Sequence, residues 1–473
     1  MVSSDVHVKI YSVNGTQSAT LNDPATEKRY VTSVTVTDGV NVQPQGTVTL
    51  PARNPSNNQP HKDFIRPGDL CVIEFLVNSP ERKGWFTAIH GPIKTVSERT
   101  VISDNGSESV CVLTVESMLG VLAADATAIW MFYGTAKGID YARSTLTVDE
   151  MNTKPYEIAF NWLTKAALNG ETYNPAQPLS GYLHLDFGGL EANAIGTYKL
   201  SLVEGSHLEI ISQFLDAPMH ELYATVGVPG EFQGSKTQAA GAGGGVKQPG
   251  AGTILRWRAA PYPFCDLGGG PNRSEWNKLP LHKITGPLQV VGERGAEYTS
   301  AAERNFFIAY PGYDVFSEWF AYSRGVAVVN KGSVKRMGYR PLKVQTSLLL
   351  NNEVVEPDLM KFSEKLAWRM AGQWSNTSQW ENGTVRVPLM PWIKSGDRVQ
   401  ALSPWQSNRT FEYHVLSRQM SWSAASGGSM MLNLERGFDT GGNPNAFADG
   451  LVRAEVGGAK YSQPFREHDK PGH

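Results

Sequence analysis

Residue types that could do chemistry occur in this chain, but none falls in the spacing that chemistry requires. Segment 230–237, GEFQGSKT, holds two glycines, a lysine and a threonine, the ingredients of a phosphate-binding loop. Such a loop needs the lysine directly after the glycine and a helix behind it, so that backbone N–H groups and the ammonium converge on one phosphate. Here Ser235 separates Gly234 from Lys236, and alanines and glycines follow. Catalytic zinc needs histidines one helical turn apart on one face, with a third ligand. His207 and His220 instead stand on either side of a predicted helix and read as structural residues. The Gly-x-Ser-x-Gly nucleophile elbow is absent, and spacing singles out no pair of carboxylates for glycoside hydrolysis. Cys71, Cys111 and Cys265 are few, odd in number and set among apolar or aromatic neighbours, which fits buried thiols. These observations predict no catalytic residue, no cofactor and no metal site. Trp85, Trp257, Trp392 and Trp422 fall on predicted strands, as core residues or as anchors of an interface.

Composition narrows the class further. The 43 basic and 45 acidic residues nearly cancel, and no basic stripe stands out, which argues against nucleic-acid recognition. With 41% hydrophobic and 19% charged residues, the chain is expected to fold, and 473 residues suggest about three domain-sized parts. No apolar run is long enough to span a bilayer, and the opening MVSSDVHVKI lacks the basic and apolar regions of a signal peptide, so no stable membrane insertion is expected.

The elements that would position any site are mostly strands. The 47 Gly and 28 Pro, among many Val, Thr and aromatic residues, favour short strands joined by turns. Alternating segments fall at 6–13, 30–39, 46–50, 69–77, 84–96 and 109–117, a spacing that suggests a β-barrel over 1–120. A helix is predicted at 155–169, from Pro155 to the Gly170 stop. Another is predicted at 206–217, where Ser206 and Glu209 form a capping-box pattern and Pro218 ends it. Segments 220–228 and 252–264 read as a hairpin around the low-complexity loop 229–252. Leu359, Phe362, Leu366 and Met370 mark a helix at 358–374, and strands resume at 383–393, 397–404, 410–424 and 429–437. Residues 438–473 are polar, without periodicity, and read as a tail, extended or disordered on its own.

One pattern occurs twice. Ile65-Arg66-Pro67-Gly68-Asp69 and Ile393-Lys394-Ser395-Gly396-Asp397 each open a hydrophobic strand, and each is followed by a long aromatic strand and a closing strand. A Gly-containing turn that starts a barrel strand explains both. The duplication predicts two similar β-barrels in a mainly β fold with α+β insertions.

At this point the sequence resembles the baseplate and tail hub proteins of long-tailed bacteriophages and contractile injection systems. The likeness lies in WIKSGDRVQAL (392–402), FEYHVLSRQMSWSA (411–424) and SMMLNLERG (429–437), although Ser421 stands where the family often has His. LRWRAAPYPF (255–264) is similar to an Arg-containing strand ending in Pro-x-Pro-Phe, with Arg258, Pro263 and Phe264 matching and Ala259 in place of the first proline. Asn305 and Phe307 match within 297–310.

The resemblance implies a homotrimeric, non-enzymatic structural protein of the virion tail, assembled in the host bacterial cytoplasm. Its partners would be the tail tube or a tube initiator, the central spike and other baseplate proteins. The implied parts are a tube-binding barrel at 1–120, an inserted α/β segment at 121–205 with extended stretches, and an α+β domain at 206–357. A connecting helix with the second barrel at 358–437 and the tail at 438–473 complete it. The alternatives are a tail-associated cell-wall hydrolase and a carbohydrate-binding host-attachment protein.

Overall fold

A computed structural model describes residues 3–12, 17–23, 28–80, 82–103, 106–124, 126–129, 183–189, 203–212, 220–227, 252–264, 272–284, 286, 290, 294–311, 326–346, 356–403, 409–456 and 465–467. The fold is mainly β, as the composition predicts. Strands β1 (Ser3–Tyr11), β2 (Gln17–Asp23), β3 (Lys28–Arg29), β4 (Ser33–Gly39), β5 (Val42–Pro51), β6 (Leu70–Asn78), β7 (Lys83–Ser103) and β8 (Gly106–Glu116) open the chain. Helix α1 (Leu119–Ala124), β9 (Ala126–Ile129), β10 (Leu183–Gly189), β11 (Val203–Ser206), α2 (His207–Ser212), β12 (His220–Gly227) and β13 (Gly252–Ala259) follow. Next come α3 (Asn272–Lys278), β14 (Leu281–Ile284), β15 (Arg294–Glu297), β16 (Phe306–Pro311), β17 (Val326–Asn330), α4 (Lys331–Met337), β18 (Pro341–Thr346) and α5 (Glu356–Trp374). The chain closes with β19 (Glu381–Pro388), β20 (Arg398–Leu402), β21 (Thr410–Ser423), β22 (Gly427–Asp439), β23 (Leu451–Val456) and β24 (Phe465–Glu467).

Local signals explain several of these elements. The Ser206 N–H donates to Glu209 Oε2 at 2.7 Å while the Glu209 N–H donates to Ser206 Oγ at 3.2 Å, so the capping box that starts α2 is formed. The hairpin around the Gly-rich loop is present: β12 pairs antiparallel with β13, from His220↔Ala259 to Gly227↔Gly252. Residues 228–251 and the predicted helix at 155–169 lie outside the described residues.

One large sheet runs through both ends of the chain in the order β15-β19-β22-β21-β4-β5-β8-β7-β6-β1-β2-β3, with β20 on β21 and β14 on β20. A single core, from Val6 through Phe75 and Leu113 to Tyr413 and Leu434, lies beneath it. In a second sheet, β18-β16-β17-β23-β24, the strands β16 and β17 are buried on both faces. The period of two explains this: Phe307 and Ala309 point to Leu366 and Met370 of α5, whereas Phe306 and Ile308 join Ala454 on the other side.

Residues 451–456 therefore correct the reading of 438–473 as an extended tail. They form β23, which pairs antiparallel with β17 from Val326↔Glu455 to Asn330↔Leu451 and buries Ala454 completely. The strand LVRAEV carries little periodic signal because the sheet, not the segment, supplies its apolar surroundings.

The large sheet contains a repeat. Strands β4-β5-β8-β7-β6 and strands β15-β19-β22-β21-β20 lie in the same spatial order. Their registers coincide in detail. Within one unit β7 meets β8 at Ile93↔Val115, slips by one residue, and resumes at Thr95↔Thr114. Within the other, β21 meets β22 at Val415↔Leu434, slips, and resumes at Ser417↔Asn433. Likewise Gly46↔Val115 on β5–β8 matches Gly383↔Leu434 on β19–β22, and Gly46↔Val36 matches Gly383↔Ala296. The second unit draws β15 and β14 from residues that the sequence reading assigned to the preceding 206–357 segment. A bulge conserved in place between two halves of one chain is a strong sign of duplication, because a bulge re-aims every residue beyond it.

Candidate functional site

The repeated Gly-Asp segments form the same turn. In one, the Asp69 N–H donates to Arg66 O at 3.1 Å, the Gly68 N–H to Ile93 O at 2.8 Å, and the Arg66 N–H to Asp69 Oδ2 at 2.9 Å. In the other, the Asp397 N–H donates to Lys394 O at 3.1 Å, the Gly396 N–H to Val415 O at 2.8 Å, and the Lys394 N–H to Asp397 Oδ2 at 2.9 Å. Gly68 and Gly396 have φ of +95° and +86°, the left-handed position that a type II turn demands. The two turns differ in what surrounds them. A Cβ on Gly68 would meet nothing, whereas one on Gly396 would sit 2.7 Å from the Tyr223 ring and 2.9 Å from Arg258.

Arg258 belongs to a buried charge cluster where β12 and β13 meet the second unit. Its guanidinium donates to Glu221 Oε2 at 2.9 and 3.0 Å and to Gly396 O at 2.9 Å, under the Tyr223 ring. Arg436 donates to Glu221 Oε1 at 3.0 Å and to Pro261 O at 2.7 Å, over the Tyr262 ring. His414 Nδ1 lies 3.0 Å from Glu435. Burial by itself would raise the Glu221 carboxyl, but the charges of His414, Arg258 and Arg436 overcome it and hold it at about 2. Burial lowers His414 below the usual imidazole range. Glu221, His414 and Glu435 offer ligand atoms within 4.8 Å of one another, a set that could hold a metal by residue type. Both oxygens of Glu221 already accept from guanidinium groups, so the residues are arranged as an ion-pair network that ties two parts of the chain together.

A second buried network joins the two repeat units. Strand β21 pairs antiparallel with β4, from Ser417↔Gly39 to Ser423↔Ser33. Across this seam Arg418 Nε donates to Asp38 Oδ2 at 2.8 Å, and its Nη1 donates to the carbonyls of Pro391 and Ile393 at 2.7 and 2.6 Å. Ser395, from the repeated turn, donates to the other oxygen of Asp38.

The remaining residues singled out by sequence have separate places. Phe264 packs with Tyr262 and Trp380, and Pro263 O accepts from Arg273 at 2.7 Å. Asn305 is fully buried; its side chain donates to Gly338 O at 2.7 Å and accepts from the Arg340 N–H at 2.7 Å, fixing the start of β16 against β18. Phe307 faces α5. The sequence reading missed Glu221, His414, Arg436, Asp38 and Arg418. One signal was available: Glu221 interrupts an apolar strand and lies directly across from Arg258 in the hairpin register. An open cleft lined by Tyr298, Phe411, Phe438, Asp439, Asn443 and Pro444 contains a single carboxylate, Asp439, already paired with Arg409 at 3.0 Å.

Among the described residues, both ends of the duplicated sheet are open. Strand β6 covers β7 only over Lys83–Pro92, and among the described residues the stretch beyond Thr95 pairs on one side alone, with β8. Among the described residues, strand β15 pairs only with β19.

Several solved structures with this overall likeness are tail and secretion proteins. A tail protein from Neisseria meningitidis matches 92% of this chain and 96% of its own, at 11% identity and a TM-score of 0.47. A 43 kDa prophage tail protein from Shewanella oneidensis matches 94% and 99%, at 11% identity and a TM-score of 0.45. An E. coli component of the type VI secretion system matches 86% and 73%, at 6% identity and a TM-score of 0.43. No family model matches the chain, and no curated protein matches it.

Proposed function

We propose that this chain is a structural hub of a bacteriophage tail or contractile injection system: a homotrimer that joins a six-fold tail tube to a three-fold spike. The observation that carries this reading is the duplicated five-strand unit, joined edge to edge by β21 and β4 with an edge left open at each end among the described residues. Three such chains supply six similar units on one side, while the inserted parts, present once per chain, keep three-fold symmetry on the other. Sequence motifs of the hub family support the same reading, since Arg258, Gly396 and the turn 394–397 meet in one buried network. The tube or its initiator, the spike and other baseplate proteins are the proposed partners, and the virion tail is the proposed location. No catalytic residue, cofactor or metal is part of the proposal. None of the described helices is long and apolar enough to cross a membrane. Light scattering tests the assembly: a ring particle of three times 51.7 kDa is expected, alone or with the spike. A monomer under both conditions would refute the hub.

A further inference from the structure

We propose that one end of the second sheet carries a binding surface for single-stranded nucleic acid, built from Arg304, Lys335, Arg336, Tyr339 and Arg340. The proposal does not depend on the hub reading. Segment 331–343, KGSVKRMGYRPLK, runs from α4 into β18 and holds five basic residues and no acidic one. Over the whole chain the charges nearly cancel, so composition argued against nucleic acid and hid this local excess.

Contacts gather the basic groups around one short stretch, 300–306. Arg336 Nη2 donates to Glu303 Oε1 at 2.7 Å. Arg340 Nη1 donates to Ser300 O at 3.0 Å, and Arg304 Nη1 donates to Ala301 O at 3.3 Å. Tyr339 meets Phe306 edge to face, with ring centroids 6.5 Å apart, and stays 58% exposed. Lys335 is exposed in the last turn of α4. Glu303 is the one carboxylate within 299–306; it is fully buried and also accepts from Ser333 and Ser378. Among the described residues, no carboxylate pairs with Arg304, Lys335 or Arg340, and the two arginines donate to carbonyls instead.

Cations without a counter-charge, set around an exposed aromatic ring, match the two parts of a single strand. The cations attract successive phosphates, and the ring offers a face on which an unpaired base stacks. A membrane fits less well, because anchoring at a bilayer surface needs a broad apolar face. Within 299–306 and 331–343, Tyr339 is the one large apolar side chain that is exposed. An acidic protein segment would satisfy the charges and leave the ring without a role.

Fluorescence anisotropy of a labelled oligothymidylate, titrated with the full chain, tests the surface. About three or four phosphate contacts predict a slope of about −2 to −3 for log affinity against log salt. Lys335→Gln should weaken binding at least about threefold and make the slope shallower by about 0.7. Tyr339→Ala should weaken it at least about fivefold and leave the slope unchanged. A sugar-phosphate strand of equal length without bases should bind more weakly and be indifferent to Tyr339→Ala. Lys335 has no hydrogen-bond partner among the described residues, so its variant keeps the test valid if the tyrosine variant misfolds. No binding at low salt, or binding that ignores both substitutions, would overturn the proposal. Equal binding to phosphatidylglycerol vesicles or polyglutamate, with Tyr339→Ala silent, would overturn it in favour of a general anion surface. None of these results touches the hub reading, which the oligomeric state decides separately.

Discussion

At the scale of single residues, the most consequential group is Glu221. Its two oxygens hold Arg258 and Arg436 at 2.9–3.0 Å, and Glu221 itself is buried. Glu221→Gln should cost about 3–5 kcal/mol in urea unfolding at neutral pH, because two buried guanidinium groups lose their counter-charge. The sign of the pH dependence follows from linkage. The folded carboxyl sits at about 2, below its unfolded value near 4.3, so its contribution is complete above about pH 5 and fades as pH falls toward 2. The gap between wild type and Glu221→Gln should therefore narrow over that window; a constant gap would contradict the ion-pair account. The two turn glycines make a matched comparison. Gly68→Ala should cost about 1–2 kcal/mol for its positive φ alone. Gly396→Ala should cost about 1–3 kcal/mol more, because its Cβ also strikes Tyr223 and Arg258.

At the scale of elements, β23 has an energetic role that the polar segment around it conceals. Ala454 is fully buried among Phe306, Ile308, Ala327 and Val329. Ala454→Asp should destabilise by more than about 4 kcal/mol, measured by denaturant unfolding, since the new carboxylate has an apolar surround. An equal substitution at exposed Thr95 should cost under about 1 kcal/mol in the isolated chain. A small effect at Ala454 would mean that β23 detaches easily from β17. Helix α2 is set by a local device instead, and Ser206→Ala should lower stability by about 1 kcal/mol through loss of its cap.

At the scale of the molecule, the proposed hub rests on the duplicated unit and on two strand edges that are open among the described residues. An exposed strand edge is a hazard unless something covers it, and the hub reading supplies the cover for both. A protein of this kind should leave cell walls intact. Zymography of the purified chain should show no lytic band; a band that survives repurification would favour the hydrolase alternative, with acids outside the cleft described above as its candidates.

The sequence by itself determined the strand-rich class, the Gly-Asp turns, the hairpin at 220–259, the capping box and helix α5 with its buried Leu366 and Met370. Each is set by residues near one another in the chain, through turn chemistry or periodicity. It also carried a signal that went unread: Gly46-Thr47-Val48 with Pro51 recurs as Gly383-Thr384-Val385 with Pro388 on equivalent strands. Only the tertiary structure decided what depends on distant partners. The four residues Arg294–Glu297 show no strand alternation, and become a strand because β19 offers them an edge. Leu451–Val456 become a strand because β17 does. Asp38 and Arg418 look like surface charges until the seam between the two units buries them together, far apart in sequence and 2.8 Å apart in space. Burial of a charge is a property of the assembled fold, since it is tolerable only where the partner arrives from elsewhere in the chain.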